Sequence, residues 1–191
     1  MSREETAGRP PAAVPAYGEG GLSHIDEQGR AAMVDVSGKQ ITRRVARAGV
    51  RVRVSPRTMR LLLDQALPKG DVLAAARVAG IMGAKRTSEL VPLCHPLPLD
   101  QVQVEFRVNG SENLIDIECI ARTEARTGVE MEAITGAAVA AITIYDMCKA
   151  VDRDIVIDSL RLLEKTGGKE DYRRHEGMAE TAARAEGTEA E

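Results

Sequence analysis

Helices packed on one face of an antiparallel sheet, an α+β fold, follow from three features of this 191-residue sequence. Segments alternating apolar and polar residues recur at 49–54, 102–108 and 114–121, and each reads as a strand with one buried face. Helical stretches with capping residues at their starts lie between and after them. One long helical stretch is apolar on most sides, so the fold must bury it.

The first strand, 49–54 (GVRVRV), alternates apolar and basic residues. Ser55-Pro56 then supplies an N-cap and a first-turn proline for a helix through Met59, Leu62 and Leu63. Pro68-Lys69-Gly70-Asp71 breaks that helix, and Asp71 caps a second one through Ala74, Ala75, Ala79 and Lys85. Gly80 and Gly83 weaken helix propensity there, so they mark close packing against another element. Pro92, Pro96 and Pro98 stiffen the loop around Cys94 and His95. Strands at 102–108 and 114–121 flank Asn109-Gly110, a turn signal. Residues 130–151 form the long buried helix, and 155–163 a last strand. The order β-α-α-β-β-α-β suits a ferredoxin-like sandwich.

Residues 1–21 carry three Pro and four Gly among small and charged residues and read as a disordered extension. The domain spans 22–169, and 170–191 reads as a flexible charged tail.

Aromatics make up 2% of the chain, with one Phe, three Tyr and no Trp, so stacking on nucleobases is nearly excluded. A net charge of −3 gives no global attraction to nucleic acid or anionic membranes. No apolar run approaches the roughly 20 residues of a membrane span. Cys94, Cys119 and Cys148 lie far apart with no CxxC spacing, which argues for reduced thiols and a cytoplasmic location.

Five segments carry chemical groups. Lys69-Gly70-Asp71 offers a lysine for an anion, but its spacing alone favours a polar helix junction capped by Asp71. Cys94 and His95 sit in the proline-stiffened loop. Adjacent residues of an extended chain point apart, so Cys94 reads as a small buried contact and His95 as a binding group. Glu130 and Glu132 open the long helix, where the helix dipole accounts for acidic residues; they point in different directions, so one caps while the other is free to reach a ligand. Asp146 and Lys149, three apart, share a helical face. Such pairs usually decorate surfaces, yet an apolar helix around them makes shifted pKa values and acid–base work an expectation. Lys165-Thr166-Gly167-Gly168-Lys169 can wrap a phosphate or be a plain flexible end; it lacks P-loop spacing.

Six stretches together resemble the cyclic pyranopterin monophosphate synthases, the MoaC family. They are LSHID at 22–26, MVDVSGK at 33–39, KGDVLAAARVAGIMGAKRTSELVPLCHPL at 69–97, TGVEMEA at 127–133, AITIYDMCKAV at 141–151 and KTGGK at 165–169. The resemblance implies a lyase of molybdenum cofactor biosynthesis that converts 3′,8-cyclo-7,8-dihydro-GTP to cyclic pyranopterin monophosphate and releases pyrophosphate. It implies Lys69, Asp146 and Lys149 as catalytic residues. Leu93, Cys94, His95, Glu130, Met131 and Glu132 would line the substrate pocket, with Arg44 and Lys165 near the triphosphate. It further implies no resident cofactor or metal, with Mg2+ accompaniment of the triphosphate left open. The implied assembly is a hexamer of three dimers with each active site at a dimer interface, and contact with the upstream GTP-cyclising enzyme is left open. Glu170-Asp171 departs from the small neutral residues that usually follow GGK, which puts the tail's part in the pocket in doubt. The rival readings are a non-catalytic nucleotide binder on the same fold and a metal-dependent hydrolase using His95, Cys94 and the glutamates. An RNA-binding module fits least.

Overall fold

The computed structural model describes residues 30–174, so the LSHID stretch and most of both terminal extensions lie outside the described residues. The chain divides at Asp35/Val36 into two units. Of the first, only residues 30–35 are described, and they contain no helix.

The second unit holds a five-stranded, wholly antiparallel sheet and its helices, the α+β ferredoxin-like arrangement that the sequence predicts. In chain order the elements are β1 (Thr42–Arg53), α1 (Pro56–Leu63), α2 (Val72–Lys85), α3 (Thr87–Leu90), β2 (Gln101–Asn109), β3 (Leu114–Ala125), α4 (Glu130–Cys148), β4 (Val156–Thr166) and β5 (Tyr172–Arg173). The sheet order is β2-β3-β1-β4-β5. One face carries Ala46, Ala48, Val50 and Val52, in register with Ala121, Cys119, Ile117 and Ile115 of β3. All eight are buried, and α2 and α4 pack over that side. The other face carries a cross-strand charge ladder: Arg47 to Glu118 at 2.7 Å, Arg51 to Asp116 at 2.8 Å and Arg53 to Asp158 at 2.6 Å. Alternation along each strand produces this division directly.

Local signals act as read. Ser55 Oγ accepts the Thr58 N–H at 3.2 Å to cap α1, and Asp71 Oδ1 accepts the Ala74 N–H at 3.0 Å to cap α2. A Cβ on Gly80 would stand 2.9 Å from the Gly136 carbonyl oxygen, so α2 approaches α4 backbone to backbone. The glycines do mark close packing.

Several boundaries move. β1 starts at Thr42, seven residues ahead of expectation, because its buried positions Ala46 and Ala48 are small and give a weak strand signal. These alanines, with Ala137, Ala140 and Ala141 of α4, also belong to the core that lets the helix lie close on the sheet. β3 runs on to Ala125 through alternating buried Ala121, Thr123 and Ala125. β4 covers Val156–Thr166, and α4 ends at Cys148, where the Val151 and Asp152 N–H groups turn back to the Cys148 carbonyl. Beyond Lys169 the chain is ordered through β5, which pairs Tyr172 with Lys165 and Arg173 with Glu164.

α4 corrects the expectation that no apolar run reaches the length of a membrane span. Its 19 residues are long and apolar enough for a span by length and composition alone. It is instead the core helix, with Ala133, Ala137, Ala140, Ala141, Ile144 and Cys148 buried beneath α2 and against the sheet.

Candidate active site

The candidate residues gather at the two ends of α4. At its C-terminal end, Asp146 sits between two lysines. Lys149 Nζ lies 2.6 Å from Asp146 Oδ1, and Lys69 Nζ donates to Oδ2 at 2.9 Å and to the Asp146 carbonyl at 2.9 Å. Lys149 comes from the same helix by i,i+3 spacing. Lys69 comes from the α1–α2 connection, where Gly70 closes a turn on the buried Leu67 with φ +85°. That turn and the Asp71 cap aim the lysine at α4, so the junction is both a helix start and a cation donor.

The cluster is open to solvent, with side-chain exposures of 44% for Lys69, 53% for Asp146 and 54% for Lys149. An apolar setting therefore does not shift its titration, contrary to the sequence reading. The hydrogen bond from Lys149, then that from Lys69, pulls Asp146 down to about 2. Asp146 in turn raises Lys149 above its ordinary value. At neutral pH the group is an anion bound by two ammoniums.

At the N-terminal end of α4 the chemistry reverses. Glu132 is only 4% exposed, and burial pushes its carboxyl up, with Glu130 adding to the rise. The half-buried Cys94 thiol is raised by burial and then by the charge of Glu132. A thiol so raised stays protonated, which agrees with Cys94 as a contact rather than a nucleophile. Leu93 and His95 are half-buried beside it, on a loop held by the Cys94 N–H to the Val91 carbonyl and by the Thr123 hydroxyl to the Pro98 carbonyl. Met131 is 36% exposed.

Lys165 of β4 reaches Glu130 at 3.3 Å. Arg44 of β1 lies close by: a Cβ on Gly168 would stand 3.2 Å from Arg44 Nη1. Arg44 Nη2 donates to the Arg126 carbonyl at 3.4 Å, and its buried Nε has no hydrogen-bond partner. Gly167 makes this packing possible. It has φ +84°, and any Cβ there would collide with the Arg43 carbonyl oxygen.

Sequence reasoning missed two supports of this end. Arg126 spans from the Arg44 contact to the Lys39 carbonyl, 3.2 Å from its Nε. Asp171 accepts the Gly167 N–H at 2.9 Å and so fixes the glycine turn; reaching back along the chain, it carries no local turn signature. Among the described residues no group of three or more His, Cys, Asp or Glu is gathered as metal ligands.

Residues 33–168 match the family model described as the MoaC family. The chain is 56% identical over 155 residues to a cyclic pyranopterin monophosphate synthase of Thermomicrobium roseum, covering 81% of this chain and 93% of the relative. It is 54% identical over 149 residues to the protein of that name from Pelotomaculum thermopropionicum, covering 78% and 88%. With the one from Streptomyces avermitilis it shares 54% over 168 residues, covering 88% and 94%. The chain belongs to the MoaC family.

Proposed function

We propose that this chain is a cyclic pyranopterin monophosphate synthase, a lyase acting early in molybdenum cofactor biosynthesis. It converts (8S)-3′,8-cyclo-7,8-dihydroguanosine 5′-triphosphate to cyclic pyranopterin monophosphate and releases pyrophosphate. The observation that carries the reading is the convergence of Lys69 and Lys149 on the two carboxylate oxygens of Asp146, in a chain 54–56% identical to synthases of that name.

Rebuilding a purine into a pterin needs protons delivered and removed at defined atoms, and the cluster suits that work. Asp146, held near 2, is the anion throughout, so the acids of the relay are the ammoniums of Lys149 and Lys69. Asp146 orients both lysines and keeps Lys149 charged. Closure of the cyclic phosphate breaks the bond to pyrophosphate, whose growing negative charge needs cations. Arg44 and Lys165 are the cations for the triphosphate, and any Mg2+ travels with the triphosphate as part of the substrate. Leu93, Cys94, His95, Glu130, Met131 and Glu132 form the wall that holds the ring system, with Glu132 as a buried acid.

Asp146 and Glu130 are sixteen residues apart on one rigid helix, about 24 Å of rise at 1.5 Å per residue. The catalytic cluster of one chain therefore stands too far from its own pocket wall for one nucleotide to touch both. That distance supports an active site shared by two copies, in a hexamer built as a trimer of dimers. The free thiols Cys94, Cys119 and Cys148 support a cytoplasmic location, where transient contact with the upstream GTP-cyclising enzyme would spare a labile substrate.

Incubation of the protein with the cyclised GTP, followed by assay of pyrophosphate and of the fluorescent oxidised pterin, tests the function. Both products are expected. Neither product appearing from correctly made substrate overturns the reading.

A further inference from the structure

One buried charge is left unused by this chemistry. Asp152, just past the end of α4, is 6% exposed. Its Oδ2 accepts the Ser55 N–H at 2.7 Å, and its Oδ1 accepts the Asp154 N–H at 3.2 Å. Nearby, the Ser55 and Thr58 hydroxyls pair with each other at 3.0 Å. Its own N–H donates to the Cys148 carbonyl at 3.0 Å. Ser55 is the N-cap of α1, so the carboxylate lies where the first N–H groups of that helix attract an anion. Hydrogen bonding keeps the carboxyl below its ordinary value although burial opposes this. The adjacent Cys148 thiol is pushed up to about 11, chiefly by burial and then by Asp152, and stays neutral.

Two elements must be held together for the cluster to exist. Asp146 and Lys149 ride on the last turn of α4, while Lys69 follows α1 in the chain. Asp152 joins the end of the first to the start of the second.

We propose that Asp152 is a positioning residue, which fixes the start of α1 to the end of α4 and so sets the reach of Lys69 to Asp146. α1 is only eight residues long and leads through the buried Leu67 to Lys69. A tilt of α1 about its start moves the lysine at its far end. Lys69 makes two contacts of 2.9 Å to Asp146, and a displacement of about 1 Å at such a site can cost on the order of 10²-fold in rate. The proposal rests on the catalytic reading of the cluster.

Asp152→Ala and Asp152→Asn in the full chain test it, by turnover of the cyclised GTP and by carbon-13 NMR titration of the Asp146 carboxyl. The charged groups facing that carboxyl are Lys69, from the α1–α2 connection, and Lys149 of α4. Asp152→Ala is expected to lower kcat on the order of 10²-fold with KM little changed. In the same variant Asp146 should titrate above its wild-type value. Asp152→Asn keeps an acceptor for the Ser55 N–H and should recover part of both. A folded Asp152→Ala with wild-type kcat and an unmoved Asp146 titration overturns the proposal. So does failure of both variants to fold, because Asp152 then holds the whole domain rather than one distance. A moved titration with unchanged turnover keeps the tie and overturns the catalytic reading of the cluster instead.

Discussion

The two ends of α4 place carboxylates in opposite settings on a single helix. Asp146 is exposed and bound by two lysines, which hold it near 2. Glu132 is buried, and its carboxyl is raised by loss of water. Both are carboxyl groups, and the environment decides which way each titration shifts. The C-terminal end is thus an exposed cluster of fixed charge, while the N-terminal end holds a buried carboxyl raised above its ordinary value, flanked by the Lys165–Glu130 pair and Arg44.

Removing the charge at Asp146 should have the largest effect. Asp146→Asn leaves the shape but releases both lysines, and activity should fall about 10²- to 10⁴-fold, the range of a lost acid–base group. Binding of the cyclised GTP, followed by calorimetry, should be largely kept. Pyrophosphate release at the wild-type rate would contradict the role.

The opposite settings also predict opposite pH dependence of stability. Asp146 has a depressed folded value, so its contribution is present above the ordinary Asp value of about 3.9. It is lost as pH falls towards about 2. Glu132 has a raised folded value. Its contribution is full below the ordinary Glu value of about 4.3 and is lost as pH rises through the folded value. Urea unfolding at a series of pH values should therefore show Glu132→Gln gaining on the wild type as pH rises from about 4.3. An unchanged difference across that range would mean that Glu132 is not a buried acid.

Two smaller effects concern the scaffold between the ends. Gly80→Ala drives a methyl towards the Gly136 carbonyl at 2.9 Å, where backbone cannot yield cheaply. It should cost about 1–3 kcal/mol in denaturant unfolding. On the open sheet face, a double-mutant cycle on Arg51 and Asp116 should give about 0.2–1 kcal/mol, because both side chains are part-exposed and the pair is screened.

Much of this arrangement is legible in the sequence where the signal is local. Period-2 alternation locates the second half of β1 and the centres of β2 and β3, and Ser55, Asp71, Gly80 and Gly83 declare caps and close packing. The Asp146–Lys149 pair follows from its three-residue spacing. What escapes is non-local or too short. Lys69 meets Asp146 across 77 positions, which no periodicity encodes. Asp152 stands between Val151 and Arg153 in a polar stretch that reads as an exposed turn, and only the packing of α1 buries it. Ala46 and Ala48 hide the first half of β1, and β5 has only two residues. The family resemblance groups Lys69 with Asp146 and Lys149, but it does not reveal that cation pairing, rather than burial, sets the charge of Asp146.

The central claim is that the two ends of α4 act together only across two copies of the chain. Mixing two inactive variants tests it most directly: Asp146→Asn, which disables the C-terminal end, and Lys165→Ala, which disables the N-terminal end. The two are unfolded together, refolded as mixed oligomers and assayed for pyrophosphate release. A site shared across a two-fold interface gives one wild-type site in each mixed pair, so activity should return to roughly a quarter of the wild-type level. No return of activity, from mixtures verified to contain both variants in one assembly, would mean that each chain carries its own complete site.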